Sequence, residues 1–165
     1  MLKNYTFLSN NQIRLYFSNN TYRDVYLTED SGRIVGYPKK LLFTTVTHTG
    51  IILGADVNSN QKIIIHNHPD VGYAHLIWFS DFAKNGRVTY QAEQCINPPK
   101  TVIAKALSAT IRRVQYRPAT SNCQNFTNSA CHNKSYSPDL GRVLGGIAAV
   151  GLGVLALVGV STAAK

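Results

Sequence analysis

Thr47-His48-Thr49-Gly50-Ile51-Ile52-Leu53-Gly54 is followed, after Asp56-Val57-Asn58-Ser59-Asn60, by Lys62-Ile63-Ile64-Ile65-His66. Both apolar runs are short and rich in β-branched residues, and the segment between them carries turn chemistry. Together they predict an antiparallel hairpin. His48 opens the first strand and His66 closes the second. Such a hairpin sets both imidazoles near the same end of a sheet.

Outward from the hairpin, Leu41-Leu42-Phe43-Thr44-Thr45-Val46 reads as a preceding strand. His75-Leu76-Ile77-Trp78-Phe79 and Arg87-Val88-Thr89-Tyr90 read as two later ones, which gives an antiparallel sheet of about five strands. From Thr101 to Val114 the apolar residues Ile103, Leu107, Ile111 and Val114 recur at helical spacing, after the start signal Pro98-Pro99. Thr120-Ser121-Asn122 supplies N-cap candidates for a second helix with Cys123 in its first turn. The fold class expected is therefore α+β. Three segments follow: an N-terminal extension over 1–35, a central domain over 36–140 and an apolar tail over 141–165. In the extension, Tyr22 to Leu27 alternates as a strand can, and Glu29-Asp30-Ser31-Gly32 reads as a turn.

The tail is distinctive. Val143 to Ala164 carries no charge and is bounded by Arg142 and Lys165. That length is enough for a helix to cross a bilayer of about 30 Å. Gly145, Ala149 and Gly153 repeat every fourth residue, a spacing that lets membrane helices pack closely. The N-terminus shows no signal-peptide pattern. The expectation is a chain anchored in a membrane by its C-terminal helix, with the 36–140 domain on the cytoplasmic side.

The formal charge of +9 favours an anionic partner or surface. No Lys/Arg run is dense enough to indicate specific nucleic-acid binding, and Arg112, Arg113 and Arg117 suit a solvated helix face. Cys95, Cys123 and Cys131 are too few and too irregular for a disulfide framework or a structural zinc site. The pattern suits a reducing compartment with a free thiol, and it leaves a single Cys95–Cys131 bridge open. Asn-x-Ser/Thr sites at Asn4, Asn19, Asn125 and Asn133 match chance in an Asn/Thr-rich chain and are read as unglycosylated.

Cys123, His48 and His66 fit the parts of a thiol acyl-transfer site. A thiolate at a helix start is stabilised by unpaired N–H groups and the helix dipole. A strand histidine can take its proton, and a second polar group can fix that imidazole. The Cys123 N–H is a natural oxyanion donor.

Three strings carry a resemblance: His48-Thr49-Gly50-Ile51-Ile52-Leu53-Gly54, Ile63-Ile64-Ile65-His66 and Asn122-Cys123-Gln124-Asn125-Phe126, in that order. Residues 41 to 130 resemble the lecithin:retinol acyltransferase family, of circularly permuted, papain-like NlpC-type fold. The resemblance implies Cys123 as nucleophile, His48 as general base and His66 as the residue orienting His48, with no cofactor. Several members of the family end in a hydrophobic anchor. Two departures stand out: Gln124-Asn125 replaces the family's Glu-His, and the hairpin loop is longer. His68 rivals His66 for the third role. His75 and His132 lack motif support, Cys131 reads as packing, and Cys95 sits in a loop without a role.

The activity implied is thiol-dependent acyl transfer or hydrolysis through a thioester, on a phospholipid-type ester. An NlpC-type peptidase or amidase shares the same site. His66-Asn67-His68-Pro69 also resembles the zinc motif of JAMM-type hydrolases, but the position that should carry the third ligand is Phe79, and Ser80-Asp81 has the wrong spacing. A catalytically inactive, membrane-anchored module is the remaining alternative.

Overall fold

The computed structural model describes residues 1–41, 44–84 and 86–140. Its elements, in chain order, are β1 (Leu2–Phe7), β2 (Gln12–Phe17), β3 (Tyr22–Tyr26), β4 (Ile34–Leu41), β5 (Thr44–Asp56), β6 (Lys62–His68), β7 (Tyr73–Trp78), α1 (Phe79–Ala83), β8 (Thr89–Tyr90), α2 (Pro99–Ile111) and α3 (Cys123–His132). Among the described residues the architecture is α+β, with an eight-stranded antiparallel sheet and few helices.

β5 is the hub of this sheet. Its first half, Thr44 to Ile51, pairs with β4. Its second half, from Ile51 to Ala55, pairs with β6, and its last residues pair with β3. The two sequence strands expected at 41–46 and 47–54 are thus largely one long strand. The hairpin partner before it is β4, whose apolar pattern Gly36, Pro38, Lys39 and Lys40 interrupt in the sequence. Within residues 1–35, β1-β2-β3 form a meander continuous with the sheet, and it places Leu2, Ile13, Leu15 and Val25 in the main core.

Strand alternation separates two apolar layers. Ile51 and Leu53 of β5 and Ile63 and Ile65 of β6 face α2 and α3, where Val102, Ile103, Leu107, Phe126 and Ala130 cover them. On the other face Ile52 and Ile64 pack with Val35, Tyr37 and Phe82. α2 starts at Pro99, whose missing N–H is harmless at a helix start, and it ends before Arg113, which adopts φ 51°. It therefore stops short of Val114, where periodicity had placed its end. Thr110 is tolerated in the core because its hydroxyl donates to the Ala106 carbonyl at 3.0 Å.

Cys95 and Cys131 pair as a disulfide with Cα atoms 4.7 Å apart. Cys131 therefore ties α3 to the loop before α2, beyond the packing role its sequence position suggested. Among the described residues no helix is long and apolar enough to cross a membrane. The membrane helix expected at 143–164 lies outside the described residues.

Candidate active site

Asn122 ends an extended segment and caps α3. Its side chain accepts the Asn125 N–H at 3.0 Å, and the Asn125 side chain accepts the Asn122 N–H at 3.3 Å. This reciprocal box satisfies two N–H groups that a helix start otherwise leaves open. It fixes Cys123 as the first helical residue. Cys123 is a free, buried thiol.

The start of α3 enters a split in the sheet. β5 and β6 pair from Ile51 and Ile65 toward their hairpin turn, and among the described residues no ladder joins them on the other side of that pair. There β5 stays with β4, and β6 stays with β7. Groups of β5 and β6 on this side turn to α3 instead. The Cys123 thiol donates to the Thr47 carbonyl at 3.8 Å, and Gln124 Nε2 donates to the same carbonyl at 3.2 Å. Asn67 of β6 donates to the Ser121 carbonyl at 2.8 Å. The Thr49 and Thr127 hydroxyls meet at 3.1 Å.

Thr49 faces α3, so its neighbour His48 faces the opposite way, toward Tyr37 and Phe82. His66 lies on the same face, and the two imidazoles bond across the split, His48 Nε2 to His66 Nδ1, at 2.9 Å. Gly50 makes room for this contact. A Cβ at that position would stand 2.5 Å from Ile64 Cγ2 and 3.3 Å from His66 Cβ. The structure thus joins His48 to His66 and brings Cys123 to the same split from the other side. The thiol bonds to Thr47 rather than to either imidazole.

His68, the rival third residue, has its ring 5.0 Å from that of His48, while its Nδ1 faces the Asp70 carboxylate at 3.6 Å. His75, which had no motif support, stands opposite His66 in the β6–β7 ladder, with Nε2 to Nε2 at 3.0 Å. His132 is buried in α3, with its Nε2 4.0 Å from the Glu93 carboxylate.

Electrostatics hold the group neutral. Burial, then the charges of His68, Lys39 and His75, bring His48 down to about 3. Burial, then the neighbouring His75, His48, His68 and Lys39, bring His66 down to about 2. Burial pushes the Cys123 thiol up, opposed by hydrogen bonds from the Thr49 amide and hydroxyl and from the Gln124 and Cys123 amides. At neutral pH the resting site therefore holds a thiol and uncharged imidazoles, not a thiolate–imidazolium pair. The amides around the sulfur are the groups that would receive an oxyanion.

Two residues outside the sequence-derived set hold the site in place. Gln124 Nε2 donates to Asp139 Oδ2 at 2.6 Å, and the same oxygen accepts the Thr47 N–H at 2.6 Å. Gln124 Oε1 accepts from Ser137 Oγ at 2.6 Å and from the Asp139 N–H at 3.2 Å. Gln124 and Asp139 thus clamp α3 to β5 beside the thiol. The Gln124 departure was visible in the sequence; Asp139 carried no signal there.

His66, His68 and His75 open onto a groove of about 530 Å³ whose walls also include Tyr37, Lys39 and Lys40. Among the described residues no group of three His, Cys, Asp or Glu side chains stands in a metal-holding arrangement. No protein-family model, no curated protein and no solved structure matches the chain.

Proposed function

We propose that this chain is a cysteine-dependent acyltransferase or acyl hydrolase that works through a thioester on Cys123, in a papain-like domain of permuted strand order. The observation that carries the reading is the placement of a free thiol as the first residue of α3, in the split of the sheet that the His48–His66 pair spans. With Nε2 engaged by His66, His48 keeps Nδ1 for a proton. In the acylation step that nitrogen takes the Sγ proton, sulfur attacks the acyl carbonyl, and the alcohol leaves with the proton as the ester bond breaks. Water or a second nucleophile then cleaves the thioester, with His48 as base once more.

A phospholipid-type ester is the acyl donor we favour. Lys39 and Lys40 line the groove beside the imidazoles and suit an anionic headgroup. The uncharged tail at 143–164 would hold such a site at a membrane. An amide or peptide donor would use the same thiol, and one experiment separates the two. The purified chain is incubated with phosphatidylcholine/phosphatidylglycerol vesicles and, separately, with peptidoglycan peptides, then weighed by intact mass spectrometry. The lipid reading expects a mass gain of one fatty acyl chain on Cys123, lost in Cys123→Ala and kept in Cys131→Ala. Acyl labelling that survives Cys123→Ala refutes the nucleophile, and labelling by the peptides alone refutes the lipid donor.

A further inference from the structure

His75 occupies a position that the thiol chemistry above does not use. Its Nδ1 faces the Tyr73 carbonyl at 3.2 Å, and its Nε2 faces His66 Nε2 at 3.0 Å. His66 Nδ1 in turn faces His48 Nε2 at 2.9 Å. The three rings form one chain that ends on a main-chain oxygen.

Such a chain has a direction. A carbonyl oxygen only accepts, so His75 Nδ1 carries a proton. An uncharged His75 then has a bare Nε2, which accepts from His66 Nε2–H. The bare Nδ1 of His66 accepts from His48 Nε2–H, and the lone pair of His48 is left on Nδ1. The reverse direction needs an imidazolium at His75. Burial holds His75 below its ordinary range, and Lys39 presses His66, His68 and His48 in the same direction. Asp70, the acid on this groove, pairs with His68 rather than with the chain.

We propose that His75 is a positioning residue: through the hydrogen-bonded chain Tyr73 carbonyl–His75–His66–His48 it sets the tautomer of His48 and leaves Nδ1 as the nitrogen that takes the Cys123 proton. The proposal rests on the reading of His48 as base. The proton moves from Sγ to His48 Nδ1 as the S–H bond breaks and an N–H bond forms. His48 then carries the charge, and its Nε2–H still donates to His66. His75 touches neither the thiol nor the acyl group.

The test pairs a spectroscopic readout with a kinetic one. In chain labelled with ¹⁵N-histidine, imidazole nitrogen shifts are expected to show His75 protonated at Nδ1, and His66 and His48 at Nε2. Any other assignment overturns the proposal. His75→Leu removes the acceptor for His66; the single-tautomer pattern of His66 and His48 should be lost, and acylation of Cys123 by para-nitrophenyl butyrate should slow by about tenfold or more, as for a base released from its orienting partner. In His75→Gln the amide oxygen can accept from His66 Nε2–H, so both readouts should recover. Unchanged shifts and rate in His75→Leu refute the role, as does a Gln variant no better than Leu. A wild-type chain that is never acylated refutes the thioester reading alone, and the nitrogen shifts still decide whether His75 sets the tautomers.

Discussion

Acidification from pH 6.5 to 5.0 should unfold this chain more readily, and the buried histidines set how much. His48 lies near 3 and His66 near 2 in the folded state, against an ordinary value of 6.5. Below 6.5 the unfolded chain binds protons that the folded chain refuses, so stability falls as pH falls. Each histidine loses about 1.6 kcal/mol between pH 6.5 and 5.0, or about 3 kcal/mol for the two, from the difference in bound protons. His68 and His75 are held down too and act in the same direction. Asp24, Asp30 and Asp56 sit below the usual carboxylate range, so their contribution is lost only at more acid pH. The window from 5.0 to 6.5 therefore isolates the imidazoles. About 3 kcal/mol is a large share of the roughly 5–15 kcal/mol that holds a typical domain folded.

Urea unfolding followed by Trp78 fluorescence at several pH values across that window measures the slope. His66→Asn should reduce the slope by about half of the two-histidine value, whatever it does to stability at neutral pH. A flat wild-type profile, or the same slope in wild type and variant, would refute the claim that these imidazoles are buried uncharged.

Further expectations follow from the same geometry. Alkylation of Cys123 by iodoacetamide should keep accelerating above the ordinary thiol range, because burial pushes the thiol up; a plateau below pH 7 would reveal a preformed ion pair instead. Asn122→Ala should cost about 1 kcal/mol in chemical denaturation through loss of the α3 cap; a neutral result would remove the capping box from the account. Gly50→Ala forces a methyl group against Ile64 and His66. It should destabilise by about 1–3 kcal/mol and shift the His66 imidazole resonances, and a silent substitution would contradict the close approach of β5 and β6. Leu107→Ala, at a fully buried position in the main core, should cost about 2–5 kcal/mol in the same denaturation assay.

The sequence by itself determined the elements whose signals are local. The β-branched runs at Ile51–Leu53 and Ile63–Ile65, the Ile103/Leu107 spacing and the Asn122 cap were readable because propensity and periodicity act over a few residues. The antiparallel pairing of the hairpin strands, and with it the approach of His48 to His66, also followed from local turn chemistry. Tertiary structure alone decided the rest. β4 exists because β5 pairs with it, despite Gly36 and Pro38. The meander β1–β3 joins the sheet through a ladder to residues some thirty positions away. The Cys95–Cys131 bridge, the Gln124–Asp139 clamp and the place of His75 beside His66 likewise come from contacts between segments distant in the chain or brought opposite by strand register. The split between β5 and β6 is the clearest case. Cys123, His48 and His66 could be named from residue types and their order, but only the ladder, running out beyond Ile51 and Ile65, decided that the thiol and the imidazoles reach one gap from opposite faces of the sheet.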